Sequence, residues 1–206
     1  LACSFDRELM YKIGKALAEE AQEKDVQVLL GPGVNHKRSP LCGRNFEYFS
    51  EDPVVSSEMA IPLVKGLQDH GVGACIKHFA GNNQEWDRHS VSSDIDERTL
   101  HEIYFPAFEA AVKEADVASV MTSYNLLNGV HASESKYLNY DILRDKWGFD
   151  GLVMSDWTSC YSPLNVATWG VDIEMPLPKC MKPEILKQLV ENGTLDVRYL
   201  DRKCQH

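Results

Sequence analysis

The chain has 206 residues, of which 44% are hydrophobic and 25% are charged, so it can form a domain with a substantial core. Its formal net charge of −10 argues against a nucleic-acid backbone or an anionic membrane surface as a partner. No apolar run approaches the length needed to span a bilayer, and no basic-then-apolar signal peptide is visible. We therefore expect a globular protein that binds neither nucleic acid nor a membrane.

Apolar periodicity predicts five strands that alternate with helices. The predicted strands cover residues 26–30, 73–77, 117–122, 151–155 and 171–174; the predicted helices cover residues 6–24, 57–70, 97–115, 137–147, 163–169 and 183–191, with the start of another in 196–206. Such alternation predicts an α/β fold with a parallel sheet. The loops after the strands are long and polar and those before them are short, which is typical of a (β/α)8 barrel. Since a closed barrel needs eight strands, we expect a TIM-type barrel that is incomplete.

The six cysteines show no spacing typical of a zinc or redox site. They are Cys3, Cys42, Cys75, Cys160, Cys180 and Cys204. We expect them to be reduced and structural, with Cys75 inside a buried strand. Reduced cysteines favour an intracellular protein, and no metal site is predicted.

Asp156 directly follows the apolar strand 151–155 and is the main candidate for chemistry. A carboxylate at the end of a buried parallel strand is badly placed for stability but well placed for an active site, which lies at the carboxyl ends of the strands. A loop cap or a salt bridge to Lys77 is the structural alternative. In a retaining glycosidase such a carboxylate attacks the anomeric carbon, and a second carboxyl group about 5–5.5 Å away acts as acid and base.

Other polar residues also follow predicted strands. Lys77 and His78 end the second strand, and because burying an unpaired ammonium is costly, we expect both to donate hydrogen bonds into a pocket. Lys77 would also keep a nearby carboxylate ionised. Arg44 and Glu47, three residues apart after the first strand, could bind sugar hydroxyls or pair with each other, and we favour the ion pair.

Two further residues follow the third predicted strand. Met121 could supply an apolar wall or belong to the core, and Tyr124 could supply a phenol hydroxyl. Several hydrogen-bond donors, an aromatic side chain such as Trp157 and no glycine-rich phosphate loop together indicate a neutral, polyhydroxylated ligand.

The chain also carries an ordered set of motifs. They are Gly-Pro-Gly-Val-Asn at 31–35, Gly-Arg-Asn-Phe-Glu at 43–47 with Ser-Glu-Asp-Pro at 50–53, Lys-His-Phe at 77–79, Asp-Glu-Arg at 96–98, Tyr-Phe-Pro-Ala-Phe at 104–108, Gly-Leu-Val-Met-Ser-Asp-Trp at 151–157 and Asp-Ile-Glu-Met-Pro at 172–176. In this order they resemble the N-terminal barrel domain of glycoside hydrolase family 3, from about residue 5 to residue 193. The segment Asn-Asn-Gln-Glu at 82–85 is similar to the β-glucosidases of that family.

The resemblance implies a role for each candidate residue. Asp156 would be the nucleophile that forms a glycosyl-enzyme intermediate on a β-glucoside or a related oligosaccharide. Arg44, Lys77, His78 and Tyr124 would hold the hydroxyls of the sugar, and Met121 and Trp157 would line the pocket. No metal and no cofactor is implied, in keeping with a two-carboxylate mechanism.

Two departures from the family pattern set further expectations. The Asp-Gly-Pro motif of an earlier barrel segment is not found, and the chain ends before the α/β sandwich domain that usually carries the acid/base glutamate. We therefore expect residues 1–206 to be a single partial barrel domain without its first strands. The N-acetylglucosaminidase branch instead takes its acid from an Asp-x-His dyad, which Asp87 and His89 match in position, although that branch has Pro-Gly-His where this chain has 80–82.

Two functions remain open from the sequence. The first is a part of a retaining β-glycosidase, completed by a barrel segment and an acid/base domain on the same polypeptide or another. The second is a non-catalytic fragment that binds sugar or forms a homo-oligomer. Exposed apolar faces and unpaired strand edges in an incomplete barrel would favour such association.

Overall fold

The computed structural model describes all 206 residues, and its centre is a four-stranded parallel sheet. The strands are β1 (Val28–Leu29), β2 (Gly73–Phe79), β4 (Ser119–Thr122) and β7 (Leu152–Met154), in the order β1-β2-β4-β7. The register pairs Cys75 with Ser119 and Val120 with Val153. The sheet is an open segment of a barrel wall, which confirms the predicted incomplete α/β barrel.

The fifth predicted strand, at 171–174, is wrong. This segment meets the sheet only at one bridge, between Ile173 and Met154. The N–H of Val153 donates to the carboxylate of Asp172, 2.8 Å away, and not to a backbone carbonyl of that segment. The N–H of Met175 likewise donates to the Ser155 hydroxyl, 2.8 Å away. Backbone hydrogen bonds still join the N–H groups of Asp172 and Ile173 to the Val153 carbonyl and the N–H of Ser155 to the Ile173 carbonyl. Because side chains take the neighbouring donors, this pairing does not extend into a strand ladder.

A second, three-stranded sheet was not predicted. It consists of β3 (Ser92–Ser93), β5 (Leu126–Leu127) and β6 (Val130–His131), with β5 antiparallel to β6. Asn128 and Gly129 form the turn between β5 and β6, with φ of 49° and 83°. This Asn-Gly pair is the standard signal of a two-residue hairpin turn, so the sequence contained the information.

All seven predicted helical segments are helical, and five of them are single α-helices at nearly the predicted positions. The α-helices are α1 (Arg7–Gln22), α2 (Pro53–Gln68), α3 (Glu97–Thr99), α4 (Pro106–Ala115), α5 (Pro163–Trp169), α6 (Pro183–Glu191) and α7 (Arg198–Lys203), with 3-10 turns at Ala2–Ser4 and Ala132–Glu134. α2 begins four residues earlier than predicted, because Asp52 caps it through the N–H groups of Val54 and Val55. None of the helices has the length and the hydropathy to cross a membrane.

Two predicted helices have irregular backbones. The predicted helix 97–115 is divided into α3, a π-helical segment Leu100–Tyr104, and α4. The division lies at Pro106, which has no N–H to donate to the preceding turn. The predicted helix 137–147 is a π-helical segment, Tyr137–Lys146. Apolar periodicity does not separate these wider turns from an α-helix.

The two faces of the sheet bury different side chains. Ala74 and Ile76 of β2 face the helices and belong to the main core. Cys75, between them, faces the other way, where it packs with Met121 of β4 and Met154 of β7. We call these three residues the sulfur floor. All six cysteines are free, and burial raises the pKa of the Cys75 thiol to about 12.

A buried ionic cluster fixes α7 to the start of β7. The Arg144 guanidinium lies 2.7 Å from one carboxylate oxygen of Asp172, and His206 Nδ1 lies 3.2 Å from the other. The Lys203 ammonium is buried and donates to the carbonyls of Gly170 and Val171, at 2.8 and 2.9 Å. Burial lowers the pKa of Lys203 to about 8.

Replacement of Lys203 by Met is expected to change how stability depends on pH. The unfolded chain binds this proton with a pKa of about 10.4, above the folded value, so the free energy of unfolding rises with pH between the two. Relative to Lys203→Met, the wild type should gain about 2 kcal/mol between about pH 7 and about pH 10, measured by denaturant unfolding. Lys187→Met, at an exposed lysine of α6, should show no such gain. Parallel curves for wild type and Lys203→Met would contradict the assignment.

Candidate active site

The polar side chains after the strands meet at one end of the sheet, as their positions predict. Lys77 and His78 come from the end of β2, Tyr124 follows β4, and Asp156 follows β7. Arg44 reaches the same place from the long loop after β1. The carboxyl ends of parallel strands lie together, so residues far apart in the sequence form one site.

Asp156 is a buried carboxylate with one oxygen left free. Its Oδ1 accepts a hydrogen bond from the N–H of Trp157 at 2.7 Å. Its Oδ2 has no hydrogen-bond partner and lies 3.5 Å from His78 Nε2 and 3.9 Å from Arg44 Nη1. Burial raises the pKa of Asp156, and the Trp157 N–H, Tyr124 and Arg44 oppose that rise. The free oxygen is therefore a buried hydrogen-bond acceptor beside His78 and Arg44.

Lys77 does not form the salt bridge to Asp156 that was the structural alternative. Its ammonium lies 3.3 Å from Oε2 of Glu47, and Oε1 of Glu47 lies 2.5 Å from Arg44 Nε. The predicted ion pair of Arg44 and Glu47 is thus confirmed. Although burial opposes it, the hydrogen bond from Arg44 and the charge of Lys77 lower the pKa of Glu47. Glu47 is an ionised bridge that holds both cations in place.

His78 is buried and uncharged. Its Nε2 lies 2.9 Å from Arg44 Nη2. Burial, together with the charges of Arg44 and Lys77, lowers the pKa of His78 well below its ordinary value. A guanidinium only donates hydrogen bonds, so Nε2 of His78 accepts one here, in contrast to the donor role expected from the sequence. Because the ring is uncharged, the contact between His78 and Asp156 is not an ion pair.

Tyr124 is held between the pocket and a neighbouring loop. The guanidinium of Arg88 lies 4.1 Å from the centre of the Tyr124 ring, and the His89 ring packs edge-on at 4.5 Å. Burial, together with the charge of Asp156, raises the pKa of Tyr124 to about 12, so its hydroxyl keeps its proton. Arg88 is also paired with Glu85 at 2.8 Å.

Met121 and Trp157 lie at opposite depths of the site. Met121 is buried in the sulfur floor, whereas the Trp157 side chain is half exposed at the rim. The structure thus confirms that Met121 is a packed residue, and its role as an apolar wall of a pocket stays a prediction.

Asp87 and His89 are not joined by a hydrogen bond. Nδ1 of His89 lies 3.1 Å from the Tyr161 hydroxyl, and Asp87 is exposed with a φ of 52°. The dyad proposed as an alternative acid is thus not assembled. The chain also contains no cluster of His, Cys, Asp or Glu arranged to hold a metal ion.

Sequence reasoning missed several residues of this site. Glu85, Arg88, Asn35 and Tyr48 were not proposed as site residues, yet Asn35 and Tyr48 both contact His78. Asn35 lies within the Gly-Pro-Gly-Val-Asn motif, which was the only signal that could have pointed to it.

The structure is an open wall of an α/β barrel, with a buried carboxylate at the strand ends among side chains that could bond sugar hydroxyls. This arrangement is typical of glycoside hydrolase domains. The chain belongs to glycosyl hydrolase family 3, because the family model of its N-terminal domain matches residues 1–206. The predicted resemblance is confirmed.

Relatives at high identity are glycosidases. The thermostable beta-glucosidase B of Acetivibrio thermocellus is 52% identical over 205 residues, which cover 100% of this chain and 27% of that protein. An exo-alpha-(1->6)-L-arabinopyranosidase of Bifidobacterium longum is 48% identical over the same lengths. The chain thus spans about a quarter of the length of the curated relatives it matches.

Solved structures agree in fold. Beta-glucosidase 3B from Thermotoga neapolitana in complex with glucose superimposes with a TM-score of 0.95 at 46% identity, covering 99% of this chain and 30% of that one. The beta-glucosidase of Kluyveromyces marxianus in complex with glucose gives a TM-score of 0.97 at 40% identity, covering 99% and 25%.

Proposed function

We propose that this chain supplies the nucleophile and much of the first sugar-binding subsite of a retaining β-glycosidase that hydrolyses terminal β-D-glucosyl residues. The observation that carries the proposal is the free Oδ2 of Asp156, a buried carboxylate oxygen at a strand end that has no hydrogen-bond partner. A structural carboxylate would have both oxygens paired, as Glu47 does.

The mechanism has two displacement steps. In the first, Oδ2 of Asp156 forms a bond to the anomeric carbon while the bond to the leaving-group oxygen breaks, and an acid donates a proton to that oxygen. In the second, a water that has lost its proton to the same group displaces Asp156. The two glutamates near the pocket, Glu47 and Glu85, are paired with cations, so neither is a good acid. We assign the acid/base to a further domain of the full-length protein.

The remaining side chains would bind the sugar. Lys77, the free N–H groups of Arg44 and the Tyr124 hydroxyl can bond sugar hydroxyls, and Nε2 of His78 is oriented towards the same space. Met121 and Trp157 would bound the sugar below and at the rim. The similar beta-glucosidases of Thermotoga neapolitana and Kluyveromyces marxianus are in complex with glucose, which supports a glucosyl unit as the first choice.

A second substrate is an α-L-arabinopyranoside, because a relative at 48% identity is named for that activity. An arabinopyranosyl unit is a six-membered ring without the hydroxymethyl group of glucose. Rates on a panel of matched aryl glycosides would separate the two, and a preference for the arabinoside would replace the glucoside assignment.

The non-catalytic alternative concerns this chain by itself. As an isolated domain it would bind glucose without turnover, or associate through the open barrel wall. Turnover by residues 1–206 alone, compared with the full-length protein, distinguishes a fragment from a complete enzyme. A measurement of molecular size shows whether association accompanies either result.

Covalent trapping tests the proposal. With 2-deoxy-2-fluoro-β-glucosyl fluoride, the ring fluorine slows both steps while the fluoride leaving group keeps formation of the intermediate fast, so the intermediate accumulates. We expect one sugar per full-length protein, on the peptide that contains Asp156. Glu134→Gln, at a buried carboxylate that accepts from the N–H groups of Tyr161 and Ser162, should label normally. A label on another residue would refute the assignment.

A further inference from the structure

Asn35 holds both backbone groups of His78. Its Oδ1 accepts from the N–H of His78 at 2.8 Å, and its Nδ2 donates to the carbonyl of His78 at 2.9 Å. Asn35 is itself buried, with 2% of its surface exposed. Because a rotation of the amide by 180° would place like against like at both contacts, the orientation of the amide is fixed.

This orientation decides which ring nitrogen of His78 carries the proton. Oδ1 of Asn35 also lies 3.1 Å from Nδ1 of the His78 ring, and an amide oxygen only accepts hydrogen bonds. Nδ1 must therefore carry the hydrogen. The Tyr48 hydroxyl, 3.3 Å from the same nitrogen, can share that hydrogen as a second acceptor.

The other side of the ring gives the same answer independently. Nη2 of Arg44 lies 2.9 Å from Nε2 of His78 and can only donate, so Nε2 must be the bare nitrogen. Two partners, both on the loop between β1 and α2 but on opposite sides of the ring, thus require one tautomer. The remaining N–H groups of Arg44 include Nη1, which lies 3.9 Å from Oδ2 of Asp156.

We infer that Asn35 is a positioning residue, which holds His78 as the Nδ1–H tautomer and thereby keeps Nε2 as the acceptor that orients the Arg44 guanidinium in the sugar pocket. The inference rests on the proposed function in that the oriented guanidinium is taken to bind the sugar. Asn35 itself touches no substrate. It decides whether Nε2 of His78, at the pocket, accepts or donates a hydrogen bond.

The charges around His78 explain why the tautomer needs a fixed partner. The cations that act on the ring are Arg44, Lys77 and Arg88, and the anion nearest to it is Asp156, 3.5 Å from Nε2. The bare Nε2 also faces that carboxylate, so a proton on Nε2 could donate to Asp156; Asn35 and Arg44 together oppose that tautomer, and loss of Asn35 removes the acceptor that holds the proton on Nδ1. With the proton on Nε2, Arg44 would lose its acceptor.

Asn35→Asp in the full-length protein tests the inference. The new carboxylate keeps the acceptor beside Nδ1 and adds a negative charge, which favours the doubly protonated ring, while the hydrogen bond donated to the His78 carbonyl is lost at every pH. Nε2–H would then face the donors of Arg44 and turn the guanidinium away. The glucose Kd, measured by calorimetry, should rise on the order of tenfold at about pH 6, and the increase should shrink towards about pH 9 as the ring loses its second proton.

Asn139→Asp is the matched control, since this buried amide also donates to a backbone carbonyl, that of Ala132 at 2.9 Å, but outside the pocket. Its glucose Kd should follow the wild type at every pH. A loss of affinity in Asn35→Asp that does not change with pH would show a packing role only and overturn the inference.

Neutron diffraction from a crystal of the wild type would locate the hydrogen on the His78 ring directly. This measurement depends neither on the glucose Kd nor on whether the variant folds. A deuteron on Nδ1 of His78, with Nε2 bare, is the expected result. A deuteron on Nε2 would overturn the inference even in an active enzyme. Failure of the proposed function would appear separately, as a wild type that neither binds glucose nor forms the trapped intermediate.

Discussion

Replacement of Asp156 by Asn is expected to lower kcat on an aryl β-glucoside by about four orders of magnitude in the full-length protein. The amide has nearly the shape of the carboxylate but is no nucleophile, so the covalent intermediate cannot form. Glucose should still bind, because Arg44 and Lys77 remain in place through Glu47. Initial rates together with calorimetric glucose binding check both parts of the prediction.

Glu134→Gln serves as the control for this substitution. It makes the same carboxylate-to-amide change at a buried site and preserves an oxygen that can accept from the N–H groups of Tyr161 and Ser162. Its kcat should stay near the wild-type value. Equal turnover by Asp156→Asn and wild type would remove Asp156 from the chemistry altogether.

Phe79→Ala is expected to have the largest effect on stability, lowering the free energy of unfolding by about 3–5 kcal/mol. The Phe79 ring is fully buried, and its centre lies 5.6 Å from that of Phe105, 5.2 Å from that of Phe108 and 5.6 Å from that of Trp147. Removing it leaves a cavity at the junction of β2 and two helical segments. Denaturant unfolding followed by circular dichroism measures the loss.

Phe46→Ala provides the comparison, because the Phe46 side chain is 87% exposed in this chain. The same truncation should there cost less than about 0.5 kcal/mol. Since Phe79 directly follows His78, its loss should also loosen the sugar pocket, and the KM should rise more than in Phe46→Ala. Similar unfolding energies for both variants would mean that the aromatic cluster is not the anchor of β2.

Much of the fold could be predicted from the sequence because local signals agree with it. Apolar segments located four of the parallel strands, and apolar periodicity located the helices. Caps agree with some of the predicted boundaries, as at Asp6, whose carboxylate accepts from the N–H of Leu9. The predicted strand at 171–174 was wrong because the carboxylate of Asp172 accepts the hydrogen bond from the N–H of Val153 in β7. Val153 and Asp172 are 19 residues apart in the sequence, so no local pattern could have predicted that a side chain would take this hydrogen bond.

The site was predictable in position but not in its pairings. A polar residue at the end of a buried strand has to point towards the mouth of the sheet, which placed Lys77, His78 and Asp156 together. The partner of each group depends on distances across loops that the sequence does not encode locally. The sequence did not predict that Lys77 contacts Glu47, and the contact of Asn35 with His78 joins positions 43 residues apart.

The separation of the sulfur floor from the main core has a consequence for how this family could diverge. Met121 and Met154 face the proposed pocket, whereas their chain neighbours Val120 and Val153 are buried against the helices. Methionine is flexible and tolerates replacement, so mutational drift at the two floor positions can change the depth available to a sugar. The valines meanwhile keep the barrel wall folded. Substitutions on one face of each strand can therefore leave the packing of the opposite face intact.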